Sequence, residues 1–175
     1  MVQYIIPEYI EGRGDCCRIK EDDNERIIYK GMSSALRSLF YERGRSIESI
    51  RKRCVKILNQ KNLIPIYLGE GEVLIPVKVR ESIVKGDGLY GYVNYGFIDR
   101  IYDDYIVFKD NSRICVLENK KSINKRFKMA SIVEKEFDDL KLPLEFYSMS
   151  KEAATKEDIA LLLLEIKKIV KKIEA

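Results

Sequence analysis

Between residues 63 and 118 the chain consists of short apolar runs separated by turn-forming residues, and this pattern restricts the fold more than any other feature. Runs 63–68 and 72–77 flank Gly69, Glu70 and Gly71, whose glycines supply the positive backbone angles that a tight hairpin connection needs. A loop around 85–88 precedes an expected strand over 90–102. Asp103 and Asp104 turn it into 105–109, and Asp110, Asn111 and Ser112 turn that run into 113–118. Pro65 and Pro76 cannot donate to a ladder, so each is expected at a strand end or a sheet edge.

Runs 3–10, 15–20 and 26–30 read as three further strands of an antiparallel meander. Leu36, Leu39 and Phe40 predict a short helix over 32–41 that Gly44 ends. Ser46 is a candidate cap for a helix reaching about 59, with Ile47, Ile50, Cys54, Ile57 and Leu58 on one face and Lys52, Lys56 and Asn59 on the other. Alternation over 54–58 leaves a strand there as the competing reading. Ser122 opens a helix to about 141, its apolar positions being Ile123, Phe127, Ala130, Ile132, Val133, Phe137 and Leu140. Thr155, with Asp158 three residues on, caps a last amphipathic helix. Its seam of Ile159, Leu162, Ile166, Ile169 and Ile173 suits docking in cis or pairing with a second copy. The fold class is therefore α+β: an antiparallel β meander and hairpins with a few flanking helices and a C-terminal amphipathic helix. The expected organisation is a core over 1–141, a linker over 142–154 and a terminal helix over 155–175.

At 175 residues and 46% hydrophobic composition the chain can bury a proper core without staples. Cys16, Cys17, Cys54 and Cys115 form no CxxC pair, and histidine is absent, so the usual zinc ligand sets are almost excluded and neither metal nor cofactor is expected. Adjacent Cys16 and Cys17 read as strand residues facing opposite sides. The opening residues lack the pattern of a secretory signal, and no run of about 18 apolar residues exists. A reduced, cytoplasmic protein with no membrane contact is the expectation. No phosphate-binding glycine loop, nucleophile motif or histidine base is present, and Asp22-Asp23, Asp103-Asp104 and Asp138-Asp139 fall on expected turns or solvated helix faces. An enzyme is not expected.

Charge is nearly balanced, 32 basic against 28 acidic residues, so any affinity for polyanions must come from local clustering. Arg43, Arg45, Arg51, Lys52, Arg53, Lys56 and Lys61 form one basic group, and Lys120, Lys121, Lys125, Arg126 and Lys128 another. Converging on one face, they would release counterions from a phosphate backbone and give a salt-sensitive affinity. Cations at the start of a helix oppose its macrodipole, so Lys120 and Lys121 add nothing to the helix they open. Other readings of the same residues are a solvated helix face, a protein-interaction module whose sheet and last helix bind a polypeptide, and RNA binding through Tyr90, Tyr92, Tyr95 and Phe97.

The order of blocks resembles the ComK competence transcription factor family of Gram-positive bacteria over roughly residues 31–137. The blocks are a small-residue turn from Gly31 to Ala35, Gly44-Arg45, Pro65-Ile66, Ile75-Pro76, Phe97-Ile98, the hairpin at Asn111-Ser112, and Ser122 at the helix start. This chain departs from the pattern in Asn94-Tyr95-Gly96 before Phe97, in serine at 112 where the family turn has glycine, and in a longer basic stretch. The resemblance implies a DNA-binding activator of DNA-uptake genes, working as a homo-oligomer on A/T-rich duplex and engaging mainly the minor groove. It further implies capture by an adaptor and protease machinery. On that reading Arg43, Arg45, Arg51, Lys52, Arg53 and Lys56 contact backbone and minor groove, and Lys120, Lys121, Lys125 and Arg126 anchor phosphates.

Overall fold

The computed structural model describes residues 1–22, 24–83, 86–138, 159–160, 162–164 and 166. Its elements run β1 (Val2–Ile10), β2 (Gly14–Glu21), β3 (Asn24–Ile28), α1 (Met32–Glu42), α2 (Ile47–Leu58), β4 (Ile66–Gly69), β5 (Glu72–Lys78), β6 (Tyr90–Asn94), β7 (Ile98–Ile101), β8 (Tyr105–Phe108), β9 (Arg113–Cys115) and α3 (Lys120–Asp138). Two compact units divide the chain, Met1–Asp138 and Asp139–Ala175. The expected linker over 142–154 lies outside the described residues, as do Ile169 and Ile173.

The architecture is α+β, as the sequence predicts. Six antiparallel strands form one sheet in the order β3-β2-β1-β6-β5-β4, and β7-β8-β9 form a second. Both faces of the larger sheet are covered. Alternation along β5 sends Val73, Ile75 and Val77 to one face, where β7–β9 and the Ile123, Ala130, Val133 and Phe137 stripe of α3 pack. The same strand sends Leu74 to the other face, against Met32, Ala35, Leu36, Leu39 and Phe40 of α1. A strand buried on both sides reads as a nearly unbroken apolar run, which is what residues 73–77 are. The α2 helix rides on edge strand β4 and touches both clusters, burying Cys54 alone completely.

The competing strand over 54–58 is corrected: α2 is helical to Leu58. Ser46 caps it by accepting a hydrogen bond from Ser49 N, and Asn59 closes it in the left-handed conformation. The single strand expected over 90–102 is also corrected. Buried Asn94 donates to Val2 O and accepts from Gly96 N, pinning a 3-10 turn at Tyr95–Phe97 from which the chain leaves one sheet for the other. Run 63–68 becomes strand only from Ile66, because Leu63 sits at φ +50° and Pro65 follows. Ile132, expected in the core, is half exposed.

Pro76 lies in an interior strand but not against a neighbour's N–H. The β4–β5 ladder ends at Ile66↔Leu74, so Pro76 faces the side of β5 that outruns β4. Arg126 fills that gap, donating from Nη1 to Pro76 O at 2.6 Å, while Glu118 accepts from Lys78 N at 2.8 Å and Leu117 N donates to Lys78 O. The proline is thus at a local edge, sealed by α3 and the segment before it. Cys16 and Cys17 are buried free thiols on successive positions of β2, and Cys54 and Cys115 are also unpaired.

Candidate nucleic-acid interface

Of the ten basic residues expected to face a duplex, four arginines are turned back onto the protein. Arg126 is 7% exposed and holds Glu118 through both guanidinium nitrogens, at 2.6 and 2.5 Å, in addition to Pro76 O. It sits three residues after Ile123 and four before Ala130, on the apolar stripe of α3, whereas Lys125 lies about 100° round the helix. The expected role of Arg126 as a phosphate anchor is corrected: its charge is spent on a buried carboxylate and it closes the β5 edge.

Arg43 is corrected in the same way. It lies 3.3 Å from Glu21 and 3.7 Å from Glu72, and Glu72 is 1% exposed. Burial pushes the Glu72 carboxyl above its ordinary value, with Arg43 and the hydrogen bond from Val2 N pulling the other way.

Arg45 and Arg53 bracket a pair of rings. Tyr67 and Phe137 stack at 4.4 Å between centroids; the Arg45 guanidinium lies 5.4 Å from the Tyr67 centroid, and that of Arg53 lies 3.9 Å from the Phe137 centroid. Gly69 leaves room for Arg45, since a Cβ there would stand 3.1 Å from its Nε. Arg53 also donates to Glu136 O at the end of α3. Arginine suits such stacking because its charge is delocalised and weakly hydrated. These two guanidiniums hold α2 and its preceding turn against β4 and α3.

The remaining six point outward. Arg51, Lys52 and Lys56 on α2, and Lys120, Lys121 and Lys125 on α3, are exposed and make no ion pair among the described residues. Lys128, already in the second basic group by sequence, is exposed too, with Lys121, Lys125 and Lys128 at i, i+4 and i+7 on one face. An open groove of about 790 Å³ runs along this end of α3, lined by Asp103, Ser122 and Asn124 with these lysines. Asp103 is the one acid there, and its carboxylate accepts from the Lys120 backbone N–H at 2.9 Å.

The two outward groups belong to different helices, α2 and α3. Arg53 meets α3 at Glu136, and the lysines surround the opposite end near Lys120. At 1.5 Å per residue these points stand roughly 24 Å apart along the helix. Among the described residues no group of three or more histidine, cysteine, aspartate or glutamate side chains could hold a metal ion, and no helix is long and apolar enough to cross a membrane. In the second unit Ile159, Leu162 and Ile166 are helical and 46–62% exposed, as are Leu163 and Leu164. No protein-family model, no curated protein and no solved structure matches this chain.

Proposed function

We propose that this chain binds duplex DNA through its phosphate backbone, as a regulator of the competence activator type would. The observation that carries the reading is the set of unpaired lysines at the start of α3. Lys120 and Lys121 sit in the first turn, where the helix dipole repels them, Lys125 and Lys128 follow within two more turns, and Asp103 is the single acid lining their groove. A polyanion supplies the missing countercharge and releases its own counterions on doing so. The α2 cations add a second contact. Preference for A/T-rich sites, transcription activation of DNA-uptake genes and delivery to a protease by an adaptor belong to the same proposal and rest on the family resemblance alone.

Fluorescence anisotropy with an A/T-rich 20-mer over a salt series tests it. Each phosphate contact contributes a slope of about −0.9 in log K against log salt, so K121A/K125A flattens the slope by roughly 1.8. An unchanged slope and affinity in that variant would sink the reading.

A second reading concerns self-association. The exposed apolar residues Ile159, Leu162, Leu163, Leu164 and Ile166 of the second unit support pairing with another copy through the terminal helix. Comparing the light-scattering mass of the full chain with that of a chain ending at residue 154 tests this, and a monomeric full chain refutes it.

A further inference from the structure

We infer that the groove between β7 and the first turns of α3 is a site for one unpaired nucleobase, with Tyr102 as its stacking wall, Asn124 reading the base edge and Lys120 holding the phosphate. The inference rests on the duplex-binding reading above and adds a second element to the same ligand, a single-stranded nucleotide beside the duplex.

Helical spacing builds one side of the site. Lys120, Asn124 and Phe127 stand at i, i+4 and i+7 and share a side of α3, about 100° round the helix from the stripe of Lys121, Lys125 and Lys128. Lys120 and Asn124 line both this groove and the lysine groove, so the two adjoin. The other side is β7, whose one strand neighbour among the described residues is β8. Ile98 and Ile101 are three positions apart and in a regular strand would face opposite ways. The irregularity between Ile98 and Arg100 turns both to the buried side, where with Phe127 they floor the groove. Its volume is about 330 Å³, at the small end of the range for ligand sites, which suits one nucleotide and not a stacked run.

Three features favour a base over a plain anion. The ring of Tyr102 is stacked on that of Tyr105, 4.5 Å between centroids and 19° between planes, so a base set against Tyr102 lengthens an existing stack without the cost of ordering a loose ring. Asn124 is partly buried, and its amide makes no hydrogen bond among the described residues. It offers an acceptor beside a donor, the complement of the donor and acceptor on an adenine edge. The acids of the groove are already engaged: Asp103 accepts from Lys120 N at 2.9 Å, and Asp99 meets Arg100 at 3.2 Å, which limits their repulsion of a phosphate. Bases inside a duplex are stacked on their neighbours, so only an unpaired one can enter.

Three ligands separate the base site from the phosphate contacts: a blunt A/T-rich 20-mer duplex, the same duplex ending in a fork of five unpaired adenines on each strand, and that fork with abasic residues in place of the adenines. The two forks carry equal numbers of phosphates, so a difference between them reports the base. Fluorescence anisotropy is expected to show the adenine fork bound about tenfold tighter than the abasic fork, the size of one base–ring stack. In Y102L, an exposed position, the thermal midpoint and the blunt-duplex affinity are expected to stay and the preference to fall to about one. N124A is expected to weaken the adenine fork severalfold and leave the abasic fork unchanged. Equal binding of the two forks by the parent, or a preference undiminished in either variant, overturns the base site while duplex binding stands. An adenine fork bound at low salt with the blunt duplex unbound refutes the duplex reading and keeps the base site, and no binding of any of the three overturns both.

Discussion

Replacing Arg126 by alanine separates a structural arginine from a DNA contact. In the native fold the guanidinium offsets Glu118 and caps Pro76 O, with side-chain exposures of 8% for Arg126 and 12% for Glu118. Removing one member of such a buried pair strands the other, and the cost is about 3–5 kcal/mol. The unfolding entropy of the 138-residue first unit, at about 2.1 cal/mol/K per residue, is roughly 0.29 kcal/mol/K, so R126A lowers the midpoint by roughly 10–17 °C. Urea denaturation of R126A, E118Q and the double variant provides the assay. Because the two side chains answer each other, the double variant loses far less than the two single losses combined. A shift under about 1 kcal/mol for R126A, accompanied by weakened duplex binding, would refute the reasoning and return Arg126 to the interface.

Glu72 gives a pH test. Burial raises its folded pKa above the ordinary 4.5, so between 4.5 and the raised value the folded state binds more protons than the unfolded chain, and stability falls as pH rises through that window. E72Q, which keeps an acceptor for Val2 N, therefore matches the parent below about pH 4.5 and is the more stable protein at neutral pH; parallel stability-against-pH curves for the two would contradict this. Gly91 lies where β6 passes β1, and a Cβ there would stand 2.8 Å from Ile6 Cγ2 and 3.1 Å from Ile5 O. G91A should cost about 1–3 kcal/mol by overpacking, read as a lower urea midpoint, and an unchanged midpoint would show that the strands do not approach so closely.

Much of the secondary structure could be read locally because its causes are local. Ser46 and Asn59 bound α2, the Gly69–Gly71 connection makes the β4–β5 hairpin, and the apolar run of residues 73–77 makes a strand. The break after Asn94 was not legible, since the side chain that makes it is anchored on Val2, ninety-two residues away. The candidate site divides along the same line. Lys121, Lys125 and Lys128 follow helical spacing and could be placed on one exposed face from the sequence.

The amino-acid sequence alone determined most of the segments that are helix or strand, and that two stretches carry an excess of cations, because propensity, capping and periodicity act within a few residues. Only the tertiary structure decided which cations remain available. Arg43 finds Glu72, Arg45 finds Tyr67, Arg53 finds Phe137, and Arg126 finds the carbonyl of Pro76, all through contacts that folding alone creates. A guanidinium's charge is the same in any chain, but whether it meets solvent, a ring or a carboxylate depends on which distant segments pack beside it.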